Sequence, residues 1–321
     1  MRQHRLLVAP CLRPFIPAPS PCAHPGSRSS LTVMRWCIAV LVSLACVGLA
    51  SCDSPSAPQA SRVYLVTRVN IAFEASDDGV AGLDLDGVTS MDEPPGMEGG
   101  CAHDDLIGLE GEPGVDSQLV RLGGAIALFG FGDINATLQQ TINDGGLSIL
   151  LELDDVSSFA SDRRVSMRAY RGQGPLALGT DGLAEPGQSF DLLPDFEPSE
   201  GEGRIEDGVL HFGPIPSLTL PLRFLMTTGD VRLTRMHGRF QLGDDGRVRG
   251  MLGGVVPVAD IQALVTRVIE DGGGTGDSSL LPILERALSG VADADLDPET
   301  MRCTGITAGV QIEAVEAFIL R

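Results

Sequence analysis

RVYLVTRVNIAFE, residues 62–74, and ITAGVQIEAVEAFILR, residues 306–321, stand near opposite ends of a 321-residue chain and share one signature. In the first, Val63, Leu65, Val69, Ile71 and Phe73 fall on one parity, with Arg68, Asn70 and Glu74 on the other. In the second, Ile306, Ala308, Val310, Ile312, Ala314 and Phe318 alternate with Thr307, Gln311 and Glu313. A period of two with β-branched residues marks half-buried strands. Two such strands so far apart in the chain predict that its ends pair within one sheet.

Working inward, LSILLEL (147–153), VSMRAYR (165–171), GVLHFG (208–213) and SLTLPLRFL (217–225) read as further strands. In DVRLTRMHGRFQLGDDGRVRGML (230–252), Asp245-Gly246 separates two alternating arms, a hairpin signal. The apolar parity shifts between Leu233 and Met236, which points to a bulge. SEGEGRIEDG (199–208) is acidic and reads as an exposed loop. Helical periodicity is confined to a few segments. PVADIQALVTRVIEDGGG aligns Ile261, Leu264, Val265, Val268 and Ile269, and SSLLPILERALSGV aligns Leu281, Leu284, Leu288 and Val291. Shorter helices are expected at VDSQLVRLGG and NATLQQTINDGG. Aromatic residues make up 4% of the chain, and the 40 glycines and 21 prolines favour short elements with many turns. The expected fold is mainly β: residues 62–321 as a single domain of two packed antiparallel sheets, sandwich-like, with helical insertions at about 257–291.

The N-terminal region reads as an export signal. Residues 1–33 carry no periodic pattern and read as an over-extended reading frame. From Met34, a charged start at Arg35 precedes an apolar run from Trp36 to Leu49, shorter than a membrane span. Leu49-Ala50-Ser51-Cys52 looks like a bacterial lipobox. Residues 34–51 would then be a lipoprotein signal peptide, Cys52 the lipidated residue, and 52–61 a polar tether. A single membrane anchor, or cleavage without lipidation, are the alternatives. The residues after the cut carry 18 arginines, no lysine and 43 acidic residues, a formal charge of −25. That balance repels nucleic acid and anionic headgroups and attracts divalent cations. Membrane contact would fall to the lipid.

Of seven cysteines, four precede the cut and Cys52 would carry the anchor, leaving Cys101 and Cys303. An even pair in an oxidising compartment predicts a disulfide, with two separate buried thiols as the alternative. The disulfide would staple CAHDDLIGLEGEPGVDSQL (101–119) against the C-terminal strand.

That stretch and Asp84-Leu85-Asp86-Gly87 concentrate oxygen ligands. The D-x-D-G spacing suits a hard cation, although Val88 and the early glycine break the EF-hand pattern. A calcium site drawing on Asp84, Asp86, Asp104, Asp105, Asp116 and Gln118 is one reading; a solvated acidic loop is the other. Zinc at Cys101, His103 and Asp104 conflicts with an oxidised cysteine, and His211 and His237 stand singly on strand patterns. Ser189 lacks nucleophile-elbow glycines. GGGTG (272–276) lacks the Lys-Ser/Thr of a phosphate loop.

The lipobox, the D-L-D-G run, the Cys-x-His-acidic stretch and GEPGVDSQL (111–119) together resemble uncharacterised envelope lipoproteins of myxobacterial, high-GC type. The resemblance is strongest over residues 34–122. It implies an exported, lipid-anchored protein on the outer membrane or the periplasmic face, and brings no functional residues with it. The leading expectation is a non-catalytic binding or structural module, stabilised by calcium, with a glycan or an envelope protein as partner. The alternative is a secreted hydrolase of polysaccharides or esters using a carboxylate pair.

Overall fold

The computed structural model describes residues 60–73, 75–89, 101, 103–128, 133–224, 227–271 and 278–321. The signal peptide, Cys52 and most of the tether lie outside the described residues, as does GGGTG.

The two terminal stretches do pair. Strand β1 (Ala60–Ile71) runs antiparallel to β10 (Arg302–Ile319), with Val63 opposite Ala317 and Ile71 opposite Val310. Each then recruits another neighbour. β1 pairs β2 (Ser148–Val156), and β2 pairs β3 (Asp162–Gln173). On the other side β10 pairs β8 (Arg247–Pro257), β8 pairs β7 (Thr227–Leu242), and β7 pairs β6 (Val209–Phe224). The ring closes through β5 (Ser199–Glu206), which pairs β6 on one edge and β3 on the other. Eight antiparallel strands thus form a closed barrel, which corrects the expected sandwich of two sheets. Two short strands lie off the ring: β4 (Gln188–Leu192) bridges the ends of β3 and β10, and β9 (Ala294–Asp297) pairs β10.

The strand that closes the barrel is the segment read from sequence as an exposed acidic loop. Its inward positions are Gly201, Gly203 and Ile205, so no apolar alternation marks it. The glycines leave room for partners: a Cβ on Gly201 would sit 2.6 Å from Ile215 Cγ1, and one on Gly203 3.0 Å from Phe212 Cβ. Register shifts between Val66/Arg68, Asp162/Val165, Phe212/Ile215 and Thr234/His237 add the local twist that a closed sheet needs. The last lies where the parity change at Leu233–Met236 places a bulge, with Arg235 at φ 49°.

One apolar core fills the ring. Tyr64, Leu151, Met167, Ile205, Phe212, Phe240, Val248 and Ile312, one from each of the eight strands, belong to a single buried cluster. Phe212 and Phe240 pack at 5.1 Å between ring centroids. Polar side chains such as Arg204, His211 and Arg239 stand on the outer face. This inside-apolar order is the reverse of a membrane-spanning barrel. No helix among the described residues is long and apolar enough to cross a membrane.

Helices insulate one end of the core. α1 (Gly123–Leu128) follows a short 3-10 turn at Gln118–Leu122. Then α2 (Ile134–Asn143) buries Leu138 and Ile142 beside β1 and β6. α3 (Val258–Glu270) and α4 (Leu281–Val291) bury Leu264, Val265, Val268, Leu284 and Leu288. Both lie where the amphipathic periodicity puts them.

The parity reading of β1 needs a correction. Tyr64 and Val66 face the main core, whereas Val63 and Leu65 join a second cluster on the outside with Phe190 of β4, Leu150 and Val315. The bulge at Thr67, whose hydroxyl donates to the Glu313 carbonyl oxygen at 3.2 Å, then returns Val69 and Ile71 to the main core.

Candidate cation site

A strap formed by residues 80–89 and 103–118 crosses the outer face of β8 and β10, and glycines fix where it crosses. Gly309 and Gly253 lie opposite each other in the β10–β8 register. A Cβ on Gly309 would overlap the Ala81 carbonyl, and one on Gly253 would come within 2.8 Å of Leu85 Cδ2. The Gly309 N–H donates to Ser117 Oγ at 3.0 Å, because β1 no longer pairs with β10 there. The Gln118 N–H donates to Thr307 Oγ1 at 3.0 Å, and that hydroxyl donates onward to Asp293 Oδ2 at 2.6 Å. A disulfide joins Cys101 to Cys303 with their Cα atoms 5.9 Å apart. The Cys101 N–H also donates to the Asp293 carbonyl at 3.0 Å. Residues 101–119 are therefore a covalently tethered segment, as the cysteine count leads one to expect.

Within the strap, Leu83 and Asp116 form an isolated antiparallel bridge, so the D-L-D-G turn folds over Asp116. The Leu85 N–H donates to Asp116 Oδ2 at 2.7 Å. Asp84 Oδ1 accepts from the Gly87 N–H at 2.7 Å, and Asp86 Oδ1 from the Val88 N–H at 2.8 Å. Gly87 adopts φ 76°, which suits glycine in so tight a turn. One carboxylate oxygen from each of Asp84, Asp86 and Asp116 lies within 4.8 Å of the others. Three acidic groups so close form a site able to hold a metal ion.

Electrostatics sharpen the point. Asp116 is 8% exposed. Burial, reinforced by the negative charges of Asp86, Asp105 and Asp293, pushes its carboxyl up to about 7, although the Leu85 N–H works against the shift. Asp84 is raised too, by burial first and then by Asp86 and Asp105. Carboxylates that repel one another in a partly dry setting bind either a proton or a cation.

Of the six residues expected to ligate, the structure brings Asp84, Asp86 and Asp116 together. Asp105 is near enough to act on Asp84 and Asp116 through its charge. Asp104 is not in that three-residue group; its backbone carbonyl accepts from Gln118 Nε2 at 2.9 Å and from Arg121 Nη2 at 3.2 Å. Gln118 Oε1 is buried without a hydrogen-bond partner. Asp293 escapes a sequence reading altogether. Burial raises its carboxyl against two hydrogen bonds from Thr307, and no motif surrounds it in the chain. His103 contacts the Ala292 carbonyl through Nε2 at 3.2 Å. It and the oxidised Cys101 form no zinc site with Asp104.

Set against protein-family models, curated proteins and solved structures, the chain returns no match.

Proposed function

We propose that the chain is a lipid-anchored envelope protein whose barrel serves as a binding or structural module, with a divalent cation bracing its outer strap. The observation that carries the cation reading is the convergence of the Asp84, Asp86 and Asp116 oxygens around a buried carboxylate. All three donors are hard carboxylate oxygens, which favours calcium over zinc or copper. Three carboxylates supply part of the six to eight oxygens calcium takes, leaving positions for backbone carbonyls, water or an oxygen-rich partner such as a glycan. The strongly acidic surface concentrates such ions. The cation would neutralise repulsion among the three aspartates and lock the strap to β8 and β10.

The cation reading is tested by calorimetric titration of the purified protein with calcium, against Asp86→Asn. Saturable binding lost in the variant supports the site; equal heats in both proteins remove the cation from the account. Anchoring rests on the lipobox ending at Cys52 and on the resemblance to envelope lipoproteins, and has its own test. Cys52→Ala should move the protein from the detergent phase to the aqueous phase. An unchanged partition would end the lipoprotein reading and leave the cation site standing.

A further inference from the structure

We propose that a cleft on the outer face of β5, β6 and β7 binds an oxyanion, a phosphate or carboxylate group borne by a larger ligand. The cleft has a volume of about 640 Å³; Arg163, Arg204, His211, His237 and Arg239 line it together with the carboxylates of Asp84, Glu112 and Glu202.

Strand register builds it. Arg204 of β5 lies opposite His211 of β6, and His211 lies opposite Arg239 of β7. Neighbouring strands are about 4.8 Å apart, so three basic side chains stand in one cross-strand row on the same face. His237 precedes Arg239 by two residues and so shares that face. Arg204 and Arg239 thus flank His211 on either side. The fork geometry of two guanidinium groups suits an oxyanion held between them.

Both imidazoles are held below their ordinary range, His211 by burial and then Arg204 and Arg239, His237 by burial and then Arg235. They are neutral at pH 7 and donate one N–H each. Gly213 has φ 117°, and a Cβ there would lie 3.1 Å from His237 Cγ. The missing side chain leaves that ring uncovered.

The acidic neighbours do not block the row. Glu206 pairs with Arg204 at 2.8 Å through well-exposed groups, and Arg239, about one-third exposed, pairs with Glu110 at 2.7 Å and has Glu112 at 3.9 Å. Exposed pairs of this kind are worth at most about 1 kcal/mol and exchange readily. Metal binding by the two histidines has no support: among the described residues, the one three-ligand group is the aspartate triad.

The test follows the histidine ring resonances of the purified protein by NMR in the presence of chelator, so that no cation held at Asp84, which also lines the cleft, bridges to the anion. Inorganic phosphate is titrated in one arm, glucuronate in a second, and chloride at matched ionic strength in a third. The expected result is a saturable shift of His211 and His237 with phosphate or glucuronate, the responding arm identifying the anion, and no saturation with chloride. Arg204→Gln and Arg239→Gln should each weaken binding at least about tenfold, the loss of one charge-assisted contact. Arg286→Gln, on α4, should leave it unchanged. Arg204 is exposed enough that its variant keeps the fold, which the remaining resonances report. Non-saturating shifts in both arms, or equal affinity in Arg204→Gln, would overturn the proposal.

Discussion

Replacing Asp116 with Asn should flatten the pH dependence of stability in the absence of a cation. The carboxyl moves from 3.8 to about 7 on folding, so the folded state keeps its proton at pH values where the unfolded chain has lost it. Its contribution is therefore fully present below pH 3.8, declines as pH rises, and is gone once pH passes about 7. Integrated between pH 5 and pH 8, the wild-type protein loses roughly 2.5 kcal/mol from this group alone. Asp84 and Asp293 are also raised and add to the wild-type slope with the same sign. Asp162, lowered to about 2 mainly by the Ser157 hydroxyl, acts only in stronger acid. The difference between wild type and Asp116→Asn thus reports Asp116 together with its charge coupling to Asp86, Asp105 and Asp293. Asn keeps an oxygen to accept the Leu85 N–H, so the turn survives. Urea denaturation at pH 5 and pH 8, in chelator, measures the effect. The variant should be the more stable protein at pH 8 relative to pH 5, by about that amount. Parallel stability curves for the two proteins would refute the reasoning, because they would mean that the carboxylate is not desolvated by the strap.

Removing the disulfide by Cys303→Ser should cost up to about 5 kcal/mol, since it closes a loop of 202 residues; thermal melting reads the loss, and an unchanged midpoint would show that the tether adds nothing. Gly309→Val places side-chain atoms where the Ala81 carbonyl lies, so it should cost about 1–3 kcal/mol and raise hydrogen exchange in the strap while β6 stays protected; uniform loss of protection would point instead to a damaged barrel. Phe240→Ala empties a fully buried position against Phe212 and should cost about 3–5 kcal/mol in urea denaturation, with a loss below 1 kcal/mol contradicting the closed core.

Much of this was written in the sequence where side chains alternate between apolar and polar. β1, β2, β3, β7, β8 and β10 all carry that pattern, and the hairpin at Asp245-Gly246 and the helices at 258–291 follow from local rules. Closure was not legible. It depends on β5, where glycines occupy the inward positions and glutamates the outward ones, so SEGEGRIED looks like solvent-facing chain. Without that strand, β3 and β6 would be free edges and two sheets would be the natural inference. β1 misled in another way: both faces of its first half are buried, the outer one by Phe190 of a strand too short to announce itself. At the candidate site, the Asp84/Asp86 spacing was visible, and Cys101 with Cys303 implied that the acidic segment would be held in place. The choice of partners was not visible, because it turns on the Leu83–Asp116 bridge and on a strap whose path is set by two glycines in distant strands. The hydrogen bond from Gln118 Nε2 to the Asp104 backbone carbonyl was not visible either. His211 and His237 looked solitary because only the β6–β7 register sets them in one cleft.

The cation site is tested most directly by anomalous diffraction from crystals of the protein soaked in a lanthanide, which takes the same oxygen ligands as calcium. The account predicts one strong peak within about 2.3–2.6 Å of oxygens from Asp84, Asp86 and Asp116. A map whose peaks all lie elsewhere, with those three carboxyl groups bonded only to protein and water, would contradict it.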